Sequence, residues 1–478
     1  MPDFLSFINE ILWGSVMIYL LLGAGVWFTW RTKYIQFRYI RQFSKSLKKS
    51  LQPQPGGLTS FQALCMSLAA RVGSGNMAGA GVALAIAAGG PGAVFWMWIS
   101  ALLGMASSFA ECSLAQLYKE RDSRGHFRGG PAWYMARGLG MRWMGVLFSI
   151  LLLLAYGVIF NTVQANSVAH AMEYAFRLPD VITGGVLAAL TLLVIIRGIR
   201  GVARLMQWLV PAMALLWVMA SLVIGLWHIS ALPTIFEIIF RCAFGWQEAA
   251  AGAVGYTISQ ALTSGFQRGM FSNEAGMGST PNSAAAAASW PPHPAAQGIV
   301  QMIGVFIDTI VICTASAVII MLAPRDGNEG VANGIQAIQH SMNNLVGDWG
   351  ASFVACIVLL FAFSSIVANY IYAENNLIFL RMDSLRNIWL LRLLTLCMVI
   401  TGAVVSLPVV WQMADIIMAL MAITNLTAIL LLSPTVRIIA SDYLRQRKLG
   451  QRPEFDVTRY PEIHQQLVPG TWDNLPRE

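Results

Sequence analysis

An all-α integral membrane protein with eleven membrane-crossing helices is the fold class this sequence predicts. Of its 478 residues, 56% are hydrophobic and only 11% charged, whereas about a quarter are charged in soluble domains. Eleven apolar stretches can be marked, most reaching the ~20 residues that a bilayer span requires. Basic residues gather in alternate connections between those stretches, as the positive-inside rule demands.

The stretches run 11–30, 61–90, 94–117, 143–170, 181–196, 206–226, 249–285, 298–323, 351–372, 388–408 and 411–433. The first follows acidic Asp3 and Glu10, without a basic n-region or small-residue cleavage site, and is expected to be retained. The fifth is short. The seventh counts as one span only if a helix break lies inside it.

Arg31, Lys33, Arg38, Arg41, Lys45, Lys48 and Lys49 follow the first stretch. Lys119, Arg121, Arg124, Arg128, Arg137 and Arg142 occupy the next alternate connection, then Arg197, Arg200 and Arg204, then Arg381 and Arg386. Arg437, Arg445, Arg447 and Lys448 open the tail. The intervening connections hold only Arg177, Arg241 and Arg325. An odd number of spans, an outside N-terminus and an inside C-terminus follow. The net charge of +8 is thereby topological, which argues against nucleic acid as a partner; membrane lipid is the expected surrounding.

Two interruptions stand out. Arg71-Val72-Gly73-Ser74-Gly75-Asn76-Met77-Ala78-Gly79 breaks the second stretch, and Gly265 to Gly278 breaks the seventh. Glycine is a poor helix former, and backbone freed from a helix within lipid must be buried in protein or line a watery cavity. Broken helices aim amide dipoles at anions and carbonyls at cations, so the pair reads as a transport site. With the first span peripheral, ten remain. The two breaks enter from opposite sides, the signature of an inverted repeat. The expected divisions are 1–58 (peripheral helix and basic loop), 59–228 and 229–433 (five-helix repeats), and 434–478 (cytoplasmic tail). Scattered Cys and His residues offer no disulfide framework or metal pair, and no nucleotide loop or catalytic constellation is visible. Neither an enzyme nor an organic cofactor is expected.

Val72-Gly73-Ser74-Gly75-Asn76-Met77-Ala78-Gly79, Gly89-Gly90-Pro91-Gly92-Ala93-Val94-Phe95-Trp96-Met97-Trp98 and Arg268-Gly269-Met270-Phe271-Ser272-Asn273-Glu274-Ala275-Gly276 together resemble the alanine/glycine:cation symporters. The resemblance covers roughly 10–435. It implies a LeuT-type core of ten helices plus one N-terminal helix. It also implies sodium- or proton-coupled uptake of alanine or glycine across the bacterial cytoplasmic membrane.

A zwitterionic substrate needs donors for its carboxylate and acceptors for its ammonium. Amides around Gly73, Ser74 and Gly75 are candidates for the carboxylate; the bland alternative is that these glycines only permit close packing. Asn76 offers an oxygen to sodium or an amide to the carboxylate. Phe266 and Phe271 are candidates to wall a small side-chain pocket, although span aromatics are as often core. Gln164, polar on an apolar span, matches a substrate-contacting glutamine of the family; an interhelical hydrogen bond is the plainer reading. Ser364 and Ser365 fall where LeuT-type symporters complete a sodium site, here with carbonyls near Ala69 and Val72; helix-packing glue is the alternative.

Four charges complete the candidate set. Glu274 must be paired or wetted within the membrane, and a structural pair with Arg268 is the favoured expectation. Arg71 departs from the small or hydroxyl residue usual in the family at that position. It must pair, with Glu274 or Asp308 as candidates, or stand in for a cation. Proton-coupled or sodium-independent transport is therefore the alternative to sodium symport. A channel, sensor or membrane enzyme lacks its own signature.

Overall fold

The computed structural model describes residues 2–39, 43–52, 57–73, 80–246, 254–323, 334–405 and 407–472. Its architecture is helical, with one two-residue antiparallel ladder between β1 (Glu120–Arg121) and β2 (Phe127–Arg128) among the described residues. In chain order the helices used below are α1 (Phe4–Arg31), α2 (Ser60–Arg71), α3 (Ala80–Gly89), α4 (Gly92–Leu117), α5 (Arg142–Phe176), α6 (Asp180–Ile195) and α7 (Gly198–Trp227). There follow α8 (Leu232–Ala243), α9 (Val254–Asn273), α10 (Thr280–Ala285), α11 (Pro294–Leu322) and α12 (Gly334–Val346). The last four are α13 (Trp349–Phe379), α14 (Leu385–Val404), α15 (Leu407–Leu431) and α16 (Ser433–Lys448).

Among the described residues, eight helices are long and apolar enough to cross a membrane, and α6 is a shorter apolar one. The two interrupted stretches account for α2 with α3, and α9 with α10, so each apolar stretch of the sequence coincides with helix. Exposed Leu193, Trp208, Leu215, Leu222, Trp227 and Leu393 cover the outer faces with apolar surface, which suits lipid rather than water.

Local chemistry sets the helix ends. At the start of α2, Thr59 Oγ1 accepts from the Gln62 amide at 3.0 Å while Gln62 Oε1 accepts from the Thr59 amide at 3.1 Å. This capping box satisfies two amides that a helix start leaves open. Helix α2 stops after a single short run: the Val72 amide reaches Leu68 O, and Gly73 folds back onto Arg71 O at 3.0 Å. Among the described residues, three spans carry π-turns, at Leu12–Val16, Ala155–Ile159 and Phe306–Cys313, an insertion common at functional sites.

Helix α4 is the central post, packed on α9 and α11, while α5 packs against α13 and α14, and α6 against α14. Glycines make the closest approaches possible. A Cβ on Gly265 would lie 2.6 Å from Ala93 O, and one on Gly269 3.0 Å from Ser100 Oγ. These two glycines lie inside a continuous helix, so they pack rather than break. The second interruption is therefore shorter than the sequence suggests. It begins after Asn273, where Glu274 adopts φ +52°, and closes at Gly278, φ +88°.

The strand-like segment after α10 pairs with the residue preceding α2, Leu58 bonding Ala286 O and Ala288 N. The far ends of the two broken helices are thus tied. The tail is folded as well: α16 and the chain to Trp472 pack on the end of α4, where Trp472 Nε1 donates to Leu117 O at 3.0 Å and Tyr118 Oη to Gln466 Oε1 at 2.6 Å.

Candidate functional site

Ala70, Arg71, Phe160, Gln164, Phe271, Glu274, Met277 and Asn369 surround a small cavity of about 10 Å³ between the two interruptions, room for about one water. Four of these residues were candidates from sequence: Arg71, Gln164, Phe271 and Glu274. Gly73 joins them, since a Cβ there would lie 2.5 Å from Gln164 Nε2. Only glycine lets the backbone of the first break rest on this amide side chain. Ser74, Gly75 and Asn76 lie outside the described residues.

The sodium candidates divide. Ser365 Oγ donates to Ala69 O at 2.7 Å, joining α13 to the last turn of α2. Ser364 Oγ instead donates to Phe361 O at 2.8 Å in its own helix and faces Met213. Val72 is buried at the end of α2.

Arg71 is 2% exposed. Its guanidinium donates to Ser67 Oγ at 2.8 Å and to Gln301 Oε1 at 3.0 Å, and it borders the cavity opposite Glu274. A buried cation so held is ordered, as burial demands. Asp308, on the π-turn of α11, accepts from Ser272 Oγ at 3.3 Å, which also contacts Thr309 Oγ1 at 2.9 Å.

Two expectations need correcting. Arg268 does not neutralise Glu274; it forms a two-pronged pair with Asp415 of α15, at 3.0 and 2.7 Å, and covers the Trp411 ring at 4.9 Å. Residues 268 and 274 cannot meet because the helix ends between them and the chain turns left-handed at Glu274, whose carboxylate accepts from Ser279 Oγ at 2.5 Å. Phe266 also lies away from the cavity, its ring against Trp96 at 6.5 Å, because it stands on the α4 side of α9. Phe271 is the ring that walls the cavity, packed between Phe160 at 5.7 Å and Trp411 at 4.8 Å.

The backbone freed at the second interruption is largely satisfied by protein. The Gly276 amide donates to Glu111 Oε1 at 3.2 Å; Asn425 Nδ2 donates to Glu111 Oε2 at 2.8 Å and to Gly276 O at 2.9 Å. Tyr134 Oη completes this network through Asn425 Oδ1, and Asn282 Nδ2 takes Gly278 O. Fully satisfied buried networks fix one geometry.

Sequence reasoning passed over Glu111, Asp415, Asn369 and Asn425. Each is a buried polar group on an apolar span, and an intramembrane ionisable residue is by itself a functional signal. Asn369 matters most at the cavity. Its Nδ2 donates to Asn161 Oδ1 at 2.9 Å, while its own Oδ1 is buried without a hydrogen-bond partner. An open acceptor beside the cavity suits a substrate ammonium, and leaving it unmet costs about 1–3 kcal/mol.

The site therefore combines a cation, a carboxylate, two amide side chains and an aromatic wall with a hydroxyl–carbonyl contact at the broken helix. Such a set orders a small zwitterion and offers neutral oxygen to a hard cation. Residues 1–457 match the Sodium:alanine symporter family. An uncharacterised transporter of Escherichia coli, YaaJ, is 70% identical over the whole of both chains. A probable sodium/glutamine symporter of Bacillus subtilis, GlnT, is 43% identical, covering 94% of this chain and 91% of its own. The sodium/alanine symporter AgcS of Methanococcus maripaludis is 37% identical over 91% of this chain and 96% of its own. The chain belongs to the sodium:alanine symporter family.

Proposed function

We propose that this protein carries a small neutral amino acid, alanine or glycine, into the cell with sodium, by alternating access around the cavity between its two broken helices. The observation that carries the reading is the bond from Ser365 Oγ to Ala69 O at 2.7 Å. It joins α13 to the end of α2, whose next residues, Arg71 and Gly73, reach the cavity and Gln164. One helix end thus serves both an ion and a substrate, the arrangement that couples them. Names of relatives include both alanine and glutamine as cargo; the small cavity closed by Phe271 favours the smaller. A LeuT-type core of eleven spans in an inner membrane, N-terminus outside and C-terminus inside, is the architecture that goes with this reading. The helix pairs α2/α3 and α9/α10 and the basic connections support it.

In the mechanism, amides of the first break and Gln164 hold the carboxylate, and Asn369 Oδ1 receives the ammonium. Phe271 covers the side chain, and Ala69 and Val72 carbonyls with Ser365 receive sodium. A second reading is favoured by Arg71, a buried cation beside the same cavity: it replaces one positive charge, and transport runs on protons or without sodium. Equilibrium alanine binding across a sodium titration at constant ionic strength decides between them. Tightening with sodium is expected, and a flat response eliminates the sodium site.

A further inference from the structure

A cavity of about 300 Å³ opens where the β1–β2 hairpin, the connection from α6 to α7 and the first turns of α14 come together. It collects Arg124, Arg197, Arg200 and Arg392. Arg392 is anchored: it donates to Tyr370 Oη at 3.2 Å and covers the Trp389 ring at 4.7 Å. Arg124, Arg197 and Arg200 are exposed, and their side chains make no hydrogen bond or ion pair among the described residues. The one acid among the described lining residues is Glu374, which faces Arg128 at 3.6 Å. Positive charge is left over, and His126 on the cavity wall feels it. Burial, then the fields of Arg200, Arg128 and Arg124, hold its imidazole below the usual histidine range against the pull of Asp122. The first turn of α7 also lines the cavity, adding the positive end of its dipole.

The rest of the wall is apolar and reaches the outer surface. Ile196 and Leu385 line the cavity and are 48% and 69% exposed. Leu385, Trp389 and Leu393 follow one another at four-residue spacing on one face of α14, and Leu190, Leu193 and Ile196 share a face of α6; all are exposed. The two helices pack together, and α14 is long and apolar enough to cross a membrane. The cavity thus stands at the head of an exposed apolar track.

We propose that this cavity binds the headgroup of an anionic phospholipid, its phosphate among Arg124, Arg197 and Arg200 and its acyl chains along the exposed faces of α6 and α14. Any anion would answer the charge; the apolar track leaving the cavity selects one that carries hydrocarbon. Basic pockets between helix ends are the usual receptors for such headgroups. Bound there, one lipid ties the hairpin to α7 and α14 and relieves the repulsion among the guanidinium groups.

The test uses the full chain purified in uncharged detergent, with native mass spectrometry and thermal unfolding as readouts, neither of which involves transport. Phosphatidylglycerol should be retained and raise the unfolding midpoint, and phosphatidylcholine should do neither. In Arg197→Gln/Arg200→Gln, retention should fall by about tenfold or more, since each cation near an anionic surface contributes roughly fivefold. The lipid-free midpoint checks that the variant folds; if it does not, Arg197→Gln alone carries the comparison, with about a fivefold loss. Lys448→Gln, at an exposed cation of α16 outside the cavity, should retain the lipid as the parent does. Equal retention of the two lipids, unchanged retention in the arginine variant, or an equal loss in Lys448→Gln overturns the proposal. Displacement of phosphatidylglycerol by glycerophosphate at equal concentration also overturns it, and assigns the cavity to a soluble anion.

Discussion

At the residue scale, the cavity separates side chains that the sequence alone could only group together. Phe266 and Phe271 are five positions apart on one helix, so they face different neighbours; Phe271 borders the cavity and Phe266 packs on Trp96. Phe271→Ala should admit larger competitors such as leucine in uptake assays, because wall volume is what rejects them. Phe266→Ala should lower thermal stability by about 3–5 kcal/mol with the competitor profile unchanged, and a broadened profile there moves the wall. Ser365→Ala should raise the sodium concentration for half-maximal uptake by about tenfold or more, the cost of a lost ion contact, while Ser364→Ala, bonded within its own helix, should shift it little. Equal shifts in the two variants would overturn the assignment of Ser365 alone. Asn369 follows Ser365 by one helical turn and shares its face, yet nothing in an isolated Asn marks which neighbour fills its bonds. Its open Oδ1 emerges only when Asn161 is seen to take the other end.

At the element scale, the apolar stretches were legible because lipid leaves helix as the only open-chain solution for each, and the structure puts helix on every one. The extent of the second break was not. Gly265 and Gly269 look like the breaking glycines Gly276 and Gly278, since a composition rule cannot tell a glycine that admits a neighbour from one that turns the chain. The left-handed residue at 274 makes the distinction. The folded tail was equally hidden, for its partners, such as Leu117 and Tyr118, lie hundreds of residues upstream. One of its anchors is the buried contact of His293 Nε2 with Asp442 Oδ2 at 3.3 Å. Burial pushes His293 below the usual histidine range, against the pull of Asp442. Burial alone would raise Asp442, but bonds from His293, Arg445 and Gln446 outweigh it and hold the carboxyl below its usual range. Both shifts have the same sign in stability. The released state takes up protons first, so docking is strongest above about pH 6.5 and weakens on acidification, through His293 and then, below about pH 4, through Asp442. Hydrogen exchange across 440–472, taken relative to the intrinsic amide rate at each pH, should therefore lose protection as pH falls from 7 to 5, and Asp442→Asn should lower protection already at pH 7; protection independent of pH would exclude this anchor.

At the scale of the whole molecule, symport requires that ion and substrate favour the same conformation of the protein, and only differential affinity supplies that bias. The first break provides the physical route. In the proposed mechanism, sodium at Ala69 O and Ser365 would fix the end of α2, and the same turn carries Gly73 onto Gln164 at the cavity. Alanine loading must enlarge a space of about 10 Å³, so ordering of that turn by the ion lowers the cost of opening it around one geometry. Linkage makes the effect reciprocal: the factor by which sodium tightens alanine binding must equal the factor by which alanine tightens sodium binding. A coupling of 1–3 kcal/mol, about 5- to 150-fold, is the usual range. On the proposed sodium reading, Arg71 would set where in that range the protein falls, because a guanidinium fixed by Ser67 and Gln301 would repel a nearby sodium while attracting the substrate carboxylate. Arg71→Gln should then strengthen sodium binding measured without substrate and weaken alanine binding at saturating sodium. The two changes oppose each other, so simple misfolding, which lowers both, is distinguishable. Calorimetric titration of each ligand in the presence and absence of the other measures all four affinities. If Arg71 instead stands in for a cation, the parent shows no sodium dependence, and Arg71→Gln abolishes alanine binding whatever the sodium concentration.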